Sequence, residues 1–326
     1  MPVNNTNIRR VLIRSPNWLG DMIMALPAIK ALSAALNPEK LRVLTRAGFG
    51  TVFSRQPFVD DVAEFDRASE AAAHSRMSKE GYDALFLFTN SFRSAWNGRK
   101  TGCRVRVGYS GNFRGWLLTD RLEKHGGLHM NDFYMEIAKS AGAAPSDGNA
   151  AFPLTEEEKS FAAALDIESG TVGIPLGARY GPAKRWPDES VKEFVEMLME
   201  KTDRPVVLFG TAAEADQAAD LAHKKARVKN LAGKTTVGEM AAAMDRCEWI
   251  VANDSGPLHV AAALGVKSVA IFGPTDPALT APLAEGVTIV REKPDCAPCQ
   301  QRICLIDHVC MKAITADMIL DVIQNG

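Results

Sequence analysis

The sequence predicts an α/β protein made of two doubly wound domains with parallel sheets. Short apolar runs alternate with helical patterns along the chain, which is typical of parallel strands covered by helices. This plan occurs twice, and a stretch at 143–149 reads as a linker between the two copies. The length of 326 residues suits about two domains. We therefore predict one domain over 1–160 and a second over 161–326.

In the first half, residues 10–14 form the first strand, the polar loop 15–21 follows, and a helix spans 22–36. The run 84–88 is apolar throughout, as expected for a strand buried on both faces. The remaining strands of this half are predicted at 41–45, 62–65 and 105–108.

The second half repeats the alternation. Six strands are predicted, at 171–175, 205–210, 228–231, 249–252, 268–272 and 287–290. Helices are predicted over 190–201, 212–225, 237–246, 257–264 and 316–324. The last of these belongs to the second domain, and packing back on the first domain is kept open for it.

Composition excludes several classes. Hydrophobic residues make up 46% and charged residues 24% of the chain, so disordered, collagen-like and disulfide-dense proteins do not fit. We expect no spanning helix, because no window approaches 18 uninterrupted apolar residues. The N-terminus lacks the pattern of a signal peptide. A cytosolic protein is expected.

The two halves differ in charge. Residues 1–150 carry 20 Lys and Arg against 14 Asp and Glu, whereas residues 151–326 carry 18 against 25. Within 90–125 there are eight Lys and Arg and two Asp and Glu. A basic half suits an anionic partner, although a solvated basic surface explains the same counts.

In doubly wound sheets, ligands bind at the carboxyl ends of the strands. The loop after the first strand ends in Gly20 and Asp21. A carboxylate there can act as a general base, or it can cap the following helix.

The loop 177–186 follows the first strand of the second half and contains Gly177, Gly181, Lys184 and Arg185. Backbone N–H groups with a cation suit a phosphate. A Walker A loop is excluded because the Gly-Lys-Ser/Thr sequence is absent. A basic surface loop remains the alternative.

The segment 253–259 links a strand to an apolar helix. Asp254 and Ser255 can cap that helix, and Pro257 suits its first turn, where free N–H groups favour an anion. His259 can bind a ligand or be a satisfied buried histidine. Glu214, just after another strand, can accept hydrogen bonds from a ribose diol or serve as a helix N-terminal carboxylate.

Four of the six cysteines fall within 296–310. In a reducing compartment a metal site is favoured over a disulfide framework, but a second Cys-x2-Cys pair is missing. We expect free or redox-active thiols, with structural zinc as the alternative, at Cys296, Cys299, Cys304 and Cys310. Sequence motifs for nicotinamide binding, for a serine hydrolase elbow and for a zinc protease are absent.

Together these loops resemble glycosyltransferase family 9, the bacterial heptosyltransferases. The resemblance rests on residues 15–27, 177–187, 253–259, 272–275 and the cysteine run to 311, with 89–94 in addition. It implies a GT-B fold: two Rossmann-like domains facing across a central cleft, with the acceptor bound by the N-terminal domain. The implied donor is ADP-L-glycero-β-D-manno-heptose, and the implied acceptor is the first heptose of the Kdo–lipid A inner core.

The resemblance also implies roles. Asp21 would be the base of an inverting transfer, and Lys184 would stabilise the leaving diphosphate without an essential metal. Ala178 and Tyr180 stand where smaller relatives have a Thr-Thr pair, which puts the side-chain phosphate contacts of this loop in doubt. Donor-binding residues are expected to be Gly177, Ala178, Tyr180, Lys184, Glu214, Asp254, Ser255, Gly256, Pro257 and His259. Acceptor-binding residues are expected to be Asn17, Trp18, Gly20, Asn90, Arg93 and Arg104.

No cofactor is expected to be required, and the enzyme is expected at the cytosolic face of the inner membrane, without spanning it. Two alternatives stay open: a relative using another heptose acceptor or sugar nucleotide, and a non-catalytic ADP-sugar binding protein. A zinc-dependent nucleic-acid module is disfavoured by the net charge of −1.

Overall fold

A computed structural model describes residues 8–146, 148 and 150–326. The chain divides into two compact units after Pro153, a few residues before the predicted boundary. The second unit gains the helix at 156–164, which packs on the helix at 237–245. Two residues of the predicted linker, Asp147 and Asn149, lie outside the described residues.

The first unit contains a parallel sheet of six strands in the order β3-β2-β1-β4-β5-β6. The strands are β1 (Arg10–Arg14), β2 (Lys40–Arg46), β3 (Asp61–Phe65), β4 (Ala84–Leu87), β5 (Val105–Tyr109) and β6 (Asp120–Leu122). The helices are α1 (Leu19–Leu36), α2 (Gly50–Ser54), α3 (Glu70–Met77), α4 (Phe92–Arg99) and α5 (Met130–Lys139).

The second unit repeats this order, because its parallel sheet reads β12-β11-β10-β7-β8-β9. Its strands are β7 (Val172–Pro175), β8 (Val206–Phe209), β9 (Val228–Asn230), β10 (Trp249–Asn253), β11 (Lys267–Phe272) and β12 (Val287–Arg291). Its helices are α6 (Glu156–Ala164), α7 (Asp188–Thr202), α8 (Ala215–Ala222), α9 (Val237–Asp245), α10 (Gly256–Leu264), α11 (Pro277–Thr280), α12 (Val309–Lys312) and α13 (Ala316–Asn325).

The central strands confirm the interpretation of the apolar runs. All four residues of β4, of β7 and of β8 are buried, as expected for strands covered by helices on both faces. In each sheet the strand order reverses between two neighbours, β1 and β4 in the first and β7 and β10 in the second. This reversal is the point where such sheets bind ligands.

Helix α1 starts three residues earlier than predicted, so Gly20 and Asp21 lie in its first turn and not in the preceding loop. Among the described residues, α1 is long and apolar enough to cross a membrane, but 56% of it is buried inside the fold. It packs along α5. We therefore regard α1 as a core helix.

Helix α13 lies in the core of the second unit. It packs on α7, β11 and β12, and Ile319, Leu320 and Ile323 are buried there. These contacts account for its apolar face within the second unit, and packing of this helix on the first domain stays a prediction.

Candidate active site

Polar side chains gather at the carboxyl ends of β1 and β4 in the first unit. The segment after β1 carries Asn17 and Trp18 and then enters α1, and the segment after β4 carries Asn90 and then enters α4. Because β1 and β4 are neighbours, both segments lie at one edge of the sheet. We call this group, with Asp21, Arg93 and Tyr134, the Asp21 edge.

Asp21 is held by a residue that sequence analysis missed. The hydroxyl of Tyr134 on α5 donates a hydrogen bond of 2.9 Å to Oδ1 of Asp21. Burial, with the Asp21 charge second, raises the pKa of Tyr134 well above its ordinary value, so Tyr134 is a permanent donor. The N-cap of α1 is Trp18, whose side chain makes no capping bond, and Asp21 is the third residue of the helix. The carboxylate is half-buried.

A buried ion-pair network fixes the segments around Asp21. Glu70, at the start of α3, accepts from Arg14 at 3.1 Å and from Arg93 at 2.9 Å. Arg14 also donates to Oδ1 of Asn17 at 2.8 Å. Burial lowers the pKa of Arg14, and the Glu70 charge offsets part of that shift. The Nε of Arg93 is therefore held by Glu70, whereas 46% of the Arg93 side chain is exposed to solvent.

Two basic residues of the 90–125 segment, Arg114 and Arg104, do not present their charges at the surface of the Asp21 edge. Arg114 is fully buried and donates to the carbonyls of Tyr109 at 2.7 Å and Thr89 at 2.5 Å; burial lowers its pKa to about 10. Arg104 immediately precedes β5 and lies 3.8 Å from Asp83, which precedes β4. It is thus at the amino ends of the strands, and the structure does not bring it to the predicted acceptor residues.

Asn90 is placed at the edge with an unused hydrogen-bonding group. Its backbone carbonyl accepts from Asn112 at 2.7 Å, whereas its side-chain oxygen is buried without a hydrogen-bond partner in the described part of the chain. A buried acceptor without a partner is costly, and a ligand hydroxyl would satisfy it.

The second unit gathers a cation and a helix N-terminus at the carboxyl ends of β7 and β10. Lys184 closes a 3₁₀ turn, Pro182–Lys184, and its Nζ lies 2.5 Å from Oδ2 of Asp254. The same oxygen accepts from Thr275 at 2.7 Å and from Thr280 at 3.3 Å. The side chains of Lys184 and Asp254 are 10% and 5% exposed, so this is a buried ion pair. We call this group, with Tyr180 and residues 255–257, the Lys184 edge.

The N-terminus of α10 lies directly after Asp254. Ser255 is its N-cap, Gly256 and Pro257 form its first turn, and the Ser255 side chain makes no capping bond. The Ser255 hydroxyl is also buried without a partner among the described residues. Free N–H groups, an unused hydroxyl and a nearby ammonium together suit an anion. His259 is buried one turn further along α10.

Gly177 and Glu214 meet beside this edge. A Cβ on Gly177 would lie 3.1 Å from the Glu214 carboxylate, so the glycine allows the two loops to approach closely. Oε2 of Glu214 accepts from the backbone and the hydroxyl of Thr211, at 2.8 and 2.7 Å. Glu214 is therefore a capping residue in this structure. The contact of Glu214 with the ribose of the donor stays a prediction.

The cysteine segment supports the loop that carries Lys184. Tyr180 donates to the Gln300 carbonyl at 2.8 Å, Ala183 N donates to the Arg302 carbonyl at 3.1 Å, and His308 Nε2 lies 2.7 Å from the Ala183 carbonyl. The ring of Tyr180 also lies under the Lys184 ammonium at 4.6 Å. Ala178, in the same loop, is half-buried. Sequence analysis missed this support, for which no local signal exists.

The four clustered cysteines line one cavity: Cys296, Cys299, Cys304 and Cys310. Burial and the three neighbouring thiols raise the pKa of Cys310. In the described ranges, however, no group of three or more His, Cys, Asp or Glu residues is arranged to hold a metal ion. None of the four thiols is joined in a disulfide bond, and structural zinc stays the alternative.

Comparison with known proteins agrees with this geometry. Residues 71–310 match the family model of glycosyltransferase family 9 (heptosyltransferase). Lipopolysaccharide heptosyltransferase 2 of Escherichia coli K12 is 30% identical over 306 residues, 86% of this chain and 88% of that protein. Lipooligosaccharide heptosyltransferase 2 of Campylobacter jejuni is 26% identical over 97% of this chain and 98% of its own.

A solved structure shows the same fold. The structure of E. coli ADP-heptose lps heptosyltransferase II superimposes with a TM-score of 0.82 at 27% identity, covering 97% of this chain and 98% of the other. The two six-stranded parallel sheets are thus the two Rossmann-like domains of a GT-B enzyme. The chain belongs to glycosyltransferase family 9, the heptosyltransferase family.

Proposed function

We propose that this enzyme transfers L-glycero-D-manno-heptose from ADP-heptose to the first heptose of the Kdo–lipid A inner core, with inversion. Relatives named lipopolysaccharide heptosyltransferase 2 support heptose transfer in core biosynthesis. The similarity to a structure described as an ADP-heptose heptosyltransferase II supports the donor. The choice of the first heptose as the acceptor rests on the similarity to the same relatives.

The observation that carries the proposal is the Lys184 edge. The donor diphosphate would bind at the N-terminus of α10, where Ser255 and Gly256 offer a hydroxyl and free amides. The Lys184 ammonium would neutralise the charge that gathers on ADP as it leaves. Asp254 already fixes that ammonium at 2.5 Å, so its role includes orienting Lys184 as well as the predicted contact with sugar hydroxyls.

Asp21 is the proposed general base. The acceptor hydroxyl attacks the anomeric carbon while the bond from that carbon to the phosphate oxygen breaks; its proton passes to Asp21, and ADP departs with the electron pair. Tyr134 holds Oδ1 of Asp21 at 2.9 Å, which orients the carboxylate. Asn17, Trp18, Gly20, Asn90 and Arg93 are the proposed acceptor contacts.

Further assignments belong to the proposal. His259 supports the phosphate or the sugar of the donor, Pro257 belongs to the donor site at the same helix N-terminus, and Glu214 contacts the ribose. Charge compensation by Lys184 and the α10 amides makes the transfer independent of a bound metal. The acceptor is a membrane glycolipid, so the protein works as a peripheral enzyme at the cytosolic face of the inner membrane.

The test is acceptor-dependent release of ADP. Purified protein is mixed with ADP-heptose and with mono-heptosylated Kdo–lipid A, and ADP is measured with and without the acceptor. Release that requires both substrates is expected. Competition by UDP- or GDP-sugars equal to that by ADP-sugars would indicate another donor. Tight ADP-heptose binding with no release on any heptosylated acceptor would indicate a binding protein.

A further inference from the structure

The outward face of α4 carries large aromatic side chains where a surface helix normally has polar ones. Phe92 and Trp96 lie one turn apart and are 42% and 47% exposed. The buried positions of the same helix hold small or polar residues: Ser94, Ala95, Asn97 and Gly98. This distribution, with apolar residues exposed and polar or small residues buried, is the reverse of that of a usual surface helix. It leaves an apolar face of α4 that the described residues of the chain do not cover.

A third aromatic side chain completes the surface. Trp116, in the 3₁₀ turn after β5, is 56% exposed. Its ring centroid lies 6.4 Å from that of Phe92 and 6.2 Å from that of Trp96, and the latter two centroids are 6.1 Å apart. We call Phe92, Trp96 and Trp116 the aromatic patch. Contiguous exposed apolar surface of this kind marks an interaction site.

The loop before Trp116 adds a fourth exposed ring. Phe113 is 93% exposed, and its φ of 55° lies in the left-handed region. That conformation is unfavourable for a bulky residue that is not glycine. The fold therefore holds an aromatic side chain fully in solvent at a conformational cost, which is expected where the side chain has a partner.

Cations adjoin the aromatic patch. Arg99, the last residue of α4, and Lys100, its C-cap, follow Trp96 by three and four residues, and both are exposed. Tryptophan and phenylalanine beside lysine and arginine are the residues that favour the interface of an anionic bilayer. A symmetric dimer through this face would instead bring like charges of two copies together, so a second copy fits less well.

We propose that the aromatic patch, with Arg99 and Lys100, docks the first unit on the surface of an anionic lipid bilayer. Phe92 lies between Asn90 and Arg93 of the Asp21 edge in the chain, so the docked surface adjoins the residues assigned to the acceptor. The inference rests on the proposed function only for the claim that the bilayer holds the acceptor. Lipid binding itself is measured without any turnover.

The test is cosedimentation of the full chain with two kinds of vesicle. One contains phosphatidylethanolamine and phosphatidylglycerol, and the other contains only phosphatidylcholine. Wild type should bind the anionic vesicles, and the double variant W96S/W116S should bind at least about tenfold more weakly, because apolar area at the interface is lost. Leu283→Ser, which removes a 53% exposed apolar side chain from the second unit, is the matched control and should bind like wild type.

A second variant tests the charge without touching the aromatic rings. R99Q/K100Q should lose the preference for anionic vesicles and should become insensitive to salt. On a water-soluble acceptor that lacks acyl chains, W96S/W116S should turn over like wild type, whereas it should slow on vesicle-embedded acceptor. That contrast separates failed docking from failed transfer.

Three outcomes would overturn the proposal. One is unchanged vesicle binding by W96S/W116S in a variant with a native circular dichroism spectrum. Another is a wild-type protein that binds ADP but neither kind of vesicle. The third is a concentration-dependent dimer, seen by analytical ultracentrifugation, that only W96S/W116S abolishes; it would assign the patch to a protein interface.

Discussion

The Asp21 edge and the Lys184 edge occupy the same place in two sheets of identical strand order, but their chemistry is opposite. The first presents a half-buried carboxylate that accepts from a tyrosine. The second presents an ammonium beside a helix N-terminus with an unused hydroxyl. The strand order therefore puts both edges at the same place in their sheets, and the residues that follow the strands decide which charge each edge presents.

The two edges also differ in how their charges are fixed. At the Lys184 edge the candidate phosphate-binding cation is itself a member of the buried ion pair, with Asp254. At the Asp21 edge the buried ion pair is Arg14 with Glu70, and Asp21 accepts a hydrogen bond from Tyr134. Asn at position 21 keeps an oxygen for that bond, so Asp21→Asn should change function more than stability, whereas a change at Lys184 should affect both.

The largest effect is expected for Lys184→Met. It leaves Asp254 as a buried charge without its cation, which should cost about 3–5 kcal/mol of unfolding free energy and abolish tight ADP binding. Urea unfolding and calorimetric titration with ADP measure the two effects. The double variant K184M/D254N should recover most of the stability but none of the ADP affinity. A single variant as stable as wild type would show that the pair does not matter to folding.

Asp21→Asn should lower acceptor-dependent ADP release by roughly 100-fold or more, because a general base contributes about that much. Stability and ADP affinity should stay near wild type, in contrast to Lys184. Asp317→Asn, which changes another first-turn carboxylate, is the control for helix effects. If Asp21→Asn weakened ADP binding as much as it slowed transfer, the separation between the edges would fail.

Ser255→Ala removes a hydroxyl that has no partner among the described residues. Unfolding should therefore change by less than about 0.5 kcal/mol, while ADP binding should weaken by about tenfold through the loss of a bond to a charged group. Ser268→Ala is the reverse control, because that buried hydroxyl donates to the Val266 carbonyl at 2.9 Å. It should lower stability and leave ADP affinity intact.

Tyr134→Phe removes the hydrogen bond to Asp21 but keeps the ring. About 1 kcal/mol is expected, or roughly a fivefold fall in turnover with unchanged ADP affinity. Tyr109→Phe removes a hydroxyl that donates to the Phe133 carbonyl at 2.6 Å and should leave turnover alone. Equal rates for both variants would remove Tyr134 from the positioning of the base.

The smallest effect concerns the thiols. Burial raises the pKa of Cys103 to about 11 and that of Cys247 to about 12, so at pH 8 both carry little thiolate. Iodoacetamide at pH 8 should therefore label the exposed Cys296 and spare these two, as read by mass spectrometry. Early labelling of Cys103 or Cys247 would show that one of the sheets opens. Labelling at Cys296 should only modestly weaken ADP binding.

Local patterns predicted much of this molecule. Each of the six strands predicted in the second half, from 171–175 to 287–290, has its counterpart in β7 to β12. The helices α2 to α6, α11 and α12 and the strand β6 were not predicted. For α4 the reason is physical, because its apolar residues face solvent and its buried face is small and polar. For α5 the signal existed, since Tyr134, Ile137 and Ala138 share one buried face.

The sequence by itself determined the alternation of strands and helices, the segments after the strands that carry Asp21, Lys184 and Ser255, and the family. These features depend on residues close together in the chain, where periodicity and turn chemistry act. The pairs that give those loops their chemistry were decided only by tertiary structure. Tyr134 lies 113 residues from Asp21, Asp254 lies 70 from Lys184, and Glu70 lies 56 from Arg14. Lys184 and Asp254 meet because β7 and β10 are neighbours in the sheet, whereas Tyr134 meets Asp21 because α5 packs along α1. No local pattern records which elements will become neighbours.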